Sequence, residues 1–561
     1  MTRAPRGWVM RRALVVALVA GSAACVGRDP APIAYGRDSC DYCRMQITDP
    51  RFGAELVTQT GKVLRFDSIE CLAGYYASTD SARVRSLWVS DYAHPGTLIP
   101  ARTALYLRVP GPGSPMGRGL LAVATARDAA ALRARFGGES LGWTEMLAAA
   151  AREGRAPIET AAPVTAAGGE RTVTVDPAGP VRTITAALQR VARGGRIVVR
   201  PGTYREPTIV VDRPVTITGE GRPTLDGEGA RQIMTVTADD VTVQGLRFAH
   251  VGASFIEDRA AIKVSGARHC VIRDNMVDDA FFGIYLARAT DCVVARNVVR
   301  GRAERESSSG NGIHLWSAHG ITVEDNHVAG HRDGIYLEFT TGSDIRRNVS
   351  TGNLRYGLHF MYSDDCRYRD NIFRANGAGV AVMYAHRVEM TGNRFEQNWG
   401  SAAYGLLLKE IADSRIAHNV FDHNTVALLA DGAERLVAER NDFVSNGWAV
   451  RLEGDTQDGR FTANDFVGNT FDVATASRTL STTFDGNYWD GYGGYDLDRD
   501  GAGDVPYHPV RFFSLVVAQH EPSLVLLRSP LVAVLDAAER ALPVLTPAAV
   551  SDHHPRMHRV P

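Results

Sequence analysis

The sequence predicts a small α/β module followed by a right-handed parallel β-helix, a solenoid in which each coil stacks on the next. Between residues 283 and 452 the chain repeats Gly or Ala followed by alternating apolar residues, from Gly283-Ile-Tyr-Leu to Ala449-Val-Arg-Leu, and successive starts lie 22 to 29 residues apart. A period near 22, built from short strands, indicates stacked coils rather than one closed globule. Residues 31–150 lack the repeat and must fold separately. The right hand is the one expected for parallel strands joined by crossovers.

A ladder of asparagines supports the same register. Asn is repeated at the same period, at Asn275, Asn297, Asn326, Asn348, Asn371, Asn393, Asn419, Asn441 and Asn464. Asn tolerates left-handed backbone and hydrogen-bonds its own kind above and below, so it suits the corner between two strands of a coil. Repeated β-hairpins, the alternative, would show paired strands joined by two-residue turns.

The amino-terminal residues 1–25 are typical of an export signal. Arg11-Arg12 precede a short apolar stretch, and Gly-Ser-Ala-Ala leads to Cys25, the position where bacterial lipoproteins are cleaved and lipidated. Ser22 stands where such signals usually carry Leu, so plain secretion without a lipid is the alternative. The chain of 561 residues has a net charge of −1 and pI ≈ 7.0, which gives no sign of a nucleic-acid or acidic partner.

Residues 31–153 carry a cluster of sulfur side chains. Strands are expected near 54–58, 62–66, 105–109 and 120–125, and helices near 69–77, 128–136 and 144–152. Cys40-Asp-Tyr-Cys43-Arg-Met45 offers thiolate and thioether donors, which select Cu(I). A zinc site would need four Cys or His ligands, and the module holds one histidine, His94. A thioredoxin-like redox pair at Cys40 and Cys43 is the competing interpretation, although Gln-Ile-Thr-Asp-Pro is a poor helix start.

This module resembles NosL, the family of lipoprotein copper chaperones for nitrous oxide reductase assembly. The shared segments are Cys-x-x-Cys-x-Met, Lys62-Val-Leu-Arg-Phe-Asp-Ser-Ile-Glu-Cys71, Trp88-Val-Ser-Asp-Tyr and Ser114-Pro-Met116-Gly. Arg44 departs from the family, which usually has Gly there. The resemblance implies Cu(I) ligands at Cys43 and Met45, with Met116 as the third. It leaves Cys40 and Cys71 as further ligands or a disulfide pair, and His94 as a surface residue.

After an Ala/Pro/Gly-rich linker at 154–170, the β-helix is expected over 171–510, opened by a helix that begins near Thr183. In each repeat the first and third residues after Gly must face inward, so the second and fourth face outward. Met361 and Met383 are therefore predicted to stack on adjacent coils of the outer face, with His359 beside them and His314 and Glu338 peripheral. Thioether and imidazole donors together predict a Cu(I)-accepting patch. Packing beneath a covering loop, or an aromatic sugar groove, are the alternatives.

The β-helix resembles NosD, the family of periplasmic copper-handling proteins that dock on an ATP-binding-cassette transporter. Arg355-Tyr-Gly-Leu-His-Phe-Met-Tyr-Ser-Asp, Ala378-Gly-Val-Ala-Val-Met-Tyr, Ala403-Tyr-Gly-Leu-Leu-Leu-Lys-Glu and Asn487-Tyr-Trp-Asp carry this resemblance. Together the two resemblances imply a fusion that carries Cu(I) for the copper–sulfur centre of nitrous oxide reductase. The implied partners are the membrane and ATPase subunits of the transporter and the apo-reductase, and the implied location is the periplasm, on a lipid anchor. We expect no enzymatic activity; the alternative is a carbohydrate lyase or epimerase fused to a thiol redox module.

Two features stand near the carboxyl terminus. Asp496, Asp498, Asp500 and Asp504 alternate and close with glycines, which resembles a Ca²⁺ loop, although an Asp/Gly turn without metal explains the pattern equally well. Residues 511–561 form an apolar tail, in which Pro530 and Pro543 frame a helix of about three turns. This helix either covers the last coil or contacts the membrane subunit of the transporter, and the NosD resemblance favours the second.

Overall fold

The computed structural model describes residues 30–38, 40–42, 47–59, 61–77, 83–109, 114, 119–151, 169–254, 258–306, 309–400, 403–454, 456–475, 481–541 and 550–559. The chain divides into two compact units, Met1–Pro163 and Val164–Pro561. The division falls within the segment interpreted above as a linker, most of which lies outside the described residues.

The first unit is an α/β module with two antiparallel sheets among its described residues. The larger sheet has the strand order Val63–Phe66, Ala54–Thr58, Val84–Ser90, Leu98–Pro100, and the smaller has the order Leu120–Val123, Leu105–Arg108, Glu139–Leu141. Three helices accompany them: α1 (Ile69–Ala77), α2 (Ala126–Phe136) and α3 (Trp143–Ala151). The strands Val84–Ser90, Leu98–Pro100 and Glu139–Leu141 are additional to those expected from the sequence. Thr125 caps α2, since its side chain accepts a bond from the Asp128 amide.

The second unit is a parallel β-helix of about 13 coils, as the repeats predict. Each coil runs through three sheets, named A, B and C here, and strands in register pair with those of the neighbouring coils. Helix α4 (Ile184–Arg190), capped by Thr183, precedes the second strand of sheet A. The helix lies against the first coils, which protects the open end of the solenoid.

The strand bounds within the described residues are as follows. Sheet A contains Glu170–Val175, Val191–Val199, Val215–Gly219, Thr242–Gln244, Val271–Arg273, Val293–Ala295, Thr322–Glu324, Asp344–Arg346, Arg367–Arg369, Glu389–Thr391, Arg415–Ala417, Val437–Glu439, Arg460–Thr462 and Thr483–Asp485. Sheet B contains Thr203–Tyr204, Thr224–Asp226, Arg247–Ala249, Met276–Asp278, Val298–Arg300, His327–Ala329, Val349–Thr351, Ile372–Arg374, Arg394–Glu396, Val420–Asp422, Asp442–Val444, Asp465–Val467 and Tyr488–Trp489. Sheet C contains Ile209–Val211, Met234–Val236, Ala260–Ser265, Phe282–Ala287, Ile313–Trp316, Asp333–Glu338, Tyr356–Met361, Ala378–Met383, Tyr404–Lys409, Val426–Asp431, Trp448–Glu453 and Phe471–Thr475.

The asparagine ladder fills the corner between sheets A and B. From Asn297 onwards, each Asn Oδ1 accepts bonds from the backbone N and the Nδ2 of the Asn one coil earlier, as Asn371 does from Asn348 at 2.9 and 3.0 Å. The expectation that Asn itself adopts left-handed backbone is wrong. The residue before each ladder Asn has the positive φ, for example Asp370 at 56°, and this turns the buried Asn side chain inward.

A second ladder, which the sequence analysis missed, fills the corner between sheets B and C. It consists of Asn353, Asn376, Asn398, Asn424, Asn446 and Asn469. Between the ladders the interior is apolar and includes a stack of rings. Phe373, Phe395, Phe421, Phe443, Phe466 and Trp489 stack with centroids 4.0 to 5.6 Å apart.

The carboxyl-terminal region covers part of the solenoid. Helix α5 (Phe512–Gln519), a 3₁₀ turn (Glu521–Leu526) and helix α6 (Pro530–Ala541) follow the last coil. Phe513, Val517 and Val532 pack against side chains of sheet C that include Trp448 and Phe471. Residues 550–559 then add a short rung to the last coil, where Asp552 pairs with Phe484. Within the described part of the chain, no helix has the length and apolar character needed to cross a membrane.

Candidate metal site on sheet C

The second-position column of sheet C forms a continuous stack of rings. Tyr285, His314, Tyr336 and His359 follow one another on successive coils, with centroids 4.6, 4.8 and 4.6 Å apart. The column lies on the outer side of the sheet, as expected, but it is buried there, since each of these side chains is 8% exposed or less. The rings cover one another, and Phe282 packs against them at the end of the stack. Polar ring atoms are therefore held away from water.

The two methionines lie at the edge of this stack. Met361 and Met383 pair in register on adjacent coils, and both are half-buried. In the same column, Glu338 pairs with Met361 on one side and Lys409 pairs with Met383 on the other. The Tyr336 hydroxyl donates to the Met361 sulfur at 3.4 Å. The sulfur of Met361 is thus positioned by a polar contact as well as by packing.

His359 lies beside an ion pair between Arg355, which is half-buried, and the buried Asp333. Asp333 and His359 are 0% and 4% exposed. Arg355 bonds the Asp333 carboxylate through two nitrogens, at 2.9 and 2.6 Å, and its Nη2 lies 3.3 Å from His359 Nδ1. Asp333 Oδ2 lies 3.7 Å from the same Nδ1. The other ring nitrogen, Nε2, is buried and has no hydrogen-bond partner among the described residues, so a ligand at this nitrogen would displace no existing hydrogen bond.

The charges of this region are set by burial and by the ion pair. Burial would raise the pKa of Asp333, but the nearby His359 and the hydrogen-bonded Arg355 outweigh it and hold the pKa below its usual range. Burial lowers the pKa of His359, with Asp333 opposing the shift, so the ring is neutral at pH 7. Neutral imidazole is the form that binds metals. Burial also raises the pKa of Glu338 to about 7.

His314 does not join His359 at one site. The Tyr336 ring lies between the two imidazoles, so a single ion cannot contact both rings. Both His314 nitrogens lack hydrogen-bond partners among the described residues, and burial lowers the pKa of His314 to about 3. His314 is a neutral part of the ring stack. The candidate donor set on sheet C is therefore His359, Met361 and Met383.

In the amino-terminal module, the structure brings Cys40 and Cys71 together with Asp67. One ligand atom from each of these buried residues lies within 4.8 Å of the others. Asp67 was not singled out from the sequence, although its place before α1, where Cys71 lies in the first turn, was a usable signal. His94 is exposed and lies 2.9 Å from Asp91, as expected of a surface residue. Cys25, Cys43, Met45 and Met116 lie outside the described residues.

The acidic segment near residue 500 is an exposed turn. Carboxylates of Asp496, Asp498 and Asp500 approach within 4.8 Å. Asp496 accepts backbone bonds from Arg499, Asp500 and Gly501, and Asp504 accepts one from Leu497, which is ordinary turn chemistry. Calcium binding at these four residues stays a prediction.

Comparison with known proteins matches both units to copper proteins. A NosL family model matches residues 32–151, and the model of NosD, described as a periplasmic copper-binding protein, matches residues 298–494. A probable ABC transporter binding protein NosD from Pseudomonas aeruginosa is 33% identical over 382 residues, covering 65% of this chain and 88% of that protein. The chain belongs to the NosD family. With the NosL match, the chain is a fusion of a NosL module and a NosD β-helix.

One further relative and one solved structure are also similar to parts of the chain. A NosD of the same description from Stutzerimonas stutzeri is 30% identical over 377 residues, covering 64% of this chain and 86% of that protein. The crystal structure of the copper chaperone NosL from Shewanella denitrificans is 24% identical to the matched part, covers 21% of this chain and 96% of that chain, and gives a TM-score of 0.20.

Proposed function

We propose that this NosL–NosD fusion is a periplasmic Cu(I) carrier and acceptor for maturation of the copper–sulfur centre of nitrous oxide reductase. The observation that carries the proposal is the in-register pair Met361 and Met383 next to His359. Thioether and imidazole are soft donors that suit Cu(I). The cargo is a metal ion that passes between ligand sets. No bond-making step is assigned to the chain, which is therefore a binding protein and not an enzyme.

The surroundings of the methionines favour binding over packing. Methionines that only fill space have apolar neighbours. Here the Met361 sulfur accepts a bond from Tyr336, and the column continues into Glu338 and Lys409. The buried Glu338 carboxyl group and the unpartnered His359 Nε2 cost free energy to bury, and a surface used only for packing gains nothing from them. These groups supply donors and charge balance for a monovalent cation.

The amino-terminal module would hold Cu(I) first. Cys43, Met45 and Met116 are the proposed ligands, and the proximity of Cys40 and Cys71 supports a metal-binding role for this end of the module. Ligand exchange would transfer the ion to His359, Met361 and Met383. We expect the Ala/Pro/Gly-rich linker at 154–170 to act as a tether, which would keep donor and acceptor at an effective concentration of about millimolar, so that transfer would need no encounter between two proteins.

The proposed function also includes binding to an ABC transporter and attachment to the membrane. The NosD relatives are described as ABC transporter binding proteins. The carboxyl-terminal helices pack on sheet C through one face and leave Val525, Leu531 and Val534 at 86%, 54% and 64% exposed. This apolar surface would contact the membrane subunit of the transporter, whose ATPase subunit drives loading of the apo-reductase. A lipid on Cys25 would keep the protein at the membrane.

A carbohydrate lyase or epimerase is the alternative, and one observation weakens it. Such chemistry needs a base and charge-neutralising groups gathered on one face. Asp364 and Asp365, two acidic residues that follow a strand of sheet C, lie on the surface against His386 and Arg387 at 3.2 and 2.6 Å. Formation of an unsaturated product from a uronic-acid polymer, followed by absorbance, would support the alternative and contradict the proposal.

Anaerobic competition titration with a Cu(I) chelator tests the copper assignment. The full-length protein should bind two Cu(I) ions. Met361→Ala with Met383→Ala should remove one, and Cys43→Ser with Met45→Ala should remove the other. Met276→Ala is the matched control, because Met276 is also half-buried but lies on sheet B. Unchanged stoichiometry and affinity in the Met361/Met383 variant would contradict the site on sheet C.

A further inference from the structure

Asp333 stands in an unusual position for a carboxylate. It begins a strand of sheet C and is 0% exposed. A buried charge persists when it is paired and hydrogen-bonded, and Arg355 from the next coil supplies both conditions through Nε and Nη2. The ion pair is therefore fixed in place on the Nδ1 side of His359. It presents both a hydrogen-bond donor and a hydrogen-bond acceptor to that nitrogen.

The two groups favour different tautomers of His359. Arg355 carries only donors, so its Nη2, 3.3 Å from Nδ1, favours a ring whose proton is on Nε2. Asp333 Oδ2, 3.7 Å from Nδ1, is an acceptor and favours the proton on Nδ1. A cation bound at Nε2 requires the second tautomer. On loading, the Nε2 proton would leave to solvent, and Nδ1 would take up a proton that points to Asp333.

We propose that Asp333, held by Arg355, is a positioning residue that selects the His359 tautomer able to bind the cuprous ion through Nε2. The inference rests on the proposed copper site. Asp333 touches no ion itself, and its role is to accept a hydrogen bond from the protonated Nδ1 when the site fills. A shift of about 1 Å brings the 3.7 Å separation to hydrogen-bond distance. Partners of this kind typically change metal affinity by about 10- to 100-fold.

The test uses Ag(I), a diamagnetic substitute for Cu(I), and the full-length chain with the sulfur ligands of the amino-terminal module replaced. Those replacements are Cys40→Ser, Cys43→Ser, Met45→Ala, Cys71→Ser and Met116→Ala. Binding is measured by competition titration. The tautomer of His359 is read from nitrogen NMR of ¹⁵N-histidine-labelled protein, with the His359→Gln spectrum identifying its signals.

In the parent protein, the ring should carry its proton on Nε2 without Ag(I) and on Nδ1 with Ag(I). Asp333→Asn should weaken Ag(I) binding at least about tenfold and leave Nδ1 without its charged acceptor. Asp344→Asn is the matched control, because Asp344 lies one strand away on sheet A and pairs with Arg346 and Arg369 at 2.7 and 2.8 Å. The control should bind Ag(I) as the parent does.

The outcomes separate this inference from the proposed function. If His359→Gln binds Ag(I) like the parent, the copper site itself is wrong. If His359→Gln loses Ag(I) while Asp333→Asn does not, the site stands and the role of Asp333 is refuted. If Asp333→Asn does not fold, the loaded parent decides: Ag(I) on Nδ1 overturns the inference, and Ag(I) on Nε2 with a proton on Nδ1 supports it.

Discussion

Replacing Asp552 with Ala should loosen the carboxyl-terminal end of the β-helix. The first asparagine ladder ends on this carboxylate, which accepts the backbone N and Nδ2 of Asn487 at 2.9 and 3.0 Å. It also accepts Trp489 Nε1 at 3.0 Å and the Gly486 amide at 3.0 Å. A carboxylate is suited to the last position, because it accepts bonds without bringing a new donor that needs a partner.

The magnitude follows from the donors left behind. Asn487 and Trp489 are 0% and 1% exposed, so three donors would remain buried without an acceptor. Each unsatisfied donor costs about 1–1.5 kcal/mol, which gives about 4 kcal/mol in total. Coils of a solenoid contact their neighbours only, so the loss should fall on the last coils.

Hydrogen exchange followed by mass spectrometry measures this loss by segment. In Asp552→Ala, amides of residues 481–509 should exchange up to about 1,000-fold faster, whereas those of residues 340–400 should not change. Asp485→Ala is the control, because it removes the exposed carboxylate that pairs with His554, and it should change stability by less than about 0.5 kcal/mol. Equal protection in Asp552→Ala and the control would refute the reasoning.

Three further substitutions test the interior. Burial raises the pKa of Asp472 to about 7, so the folded state binds more protons than the unfolded state between about pH 4 and 7, and stability falls as pH rises through that window. In urea unfolding, Asp472→Asn should therefore stabilise the protein by about 2–4 kcal/mol more at pH 8 than at pH 5. An equal effect at the two pH values would contradict this. Phe421→Ala removes a ring between two stacked neighbours and should cost about 3–5 kcal/mol, with Phe421→Leu costing less in the same assay. Asn419→Ala leaves two buried donors of Asn393 without an acceptor and should cost about 2–3 kcal/mol, whereas His418→Ala, exposed at the same corner, should have little effect.

The register of the solenoid could be predicted because residues one repeat apart in the sequence lie above one another on adjacent coils. A period near 22 places Met383 on Met361, and the strands pair as that spacing requires. The covering of the column containing His314 and His359 could not be predicted in the same way. Which rings cover one another depends on side-chain packing across coils, and an alternating pattern reports only the side of the sheet on which a residue lies.

Contacts between residues far apart in the chain could not be predicted from the sequence pattern either. Asp552 meets Asn487 across 65 residues that include three helical segments, and no periodicity connects the two positions. The Asp333–Arg355 pair is different, because its 22-residue separation equals one coil. That pair was visible in principle, but Asp333 falls at the start of a strand, outside the columns counted from each Gly.

The direction of the first asparagine ladder has a consequence for how such proteins change length. Every Asn of the ladder provides its Oδ1 as an acceptor to the coil before it, and its backbone N donates to the Asn Oδ1 of the coil after it. Duplication or deletion of one complete turn therefore joins like to like and leaves the terminal carboxylate in place. Evolution, or a protein engineer, can in this way alter the distance between the methionine pair and the carboxyl-terminal helices in steps of about 4.8 Å without redesigning either end.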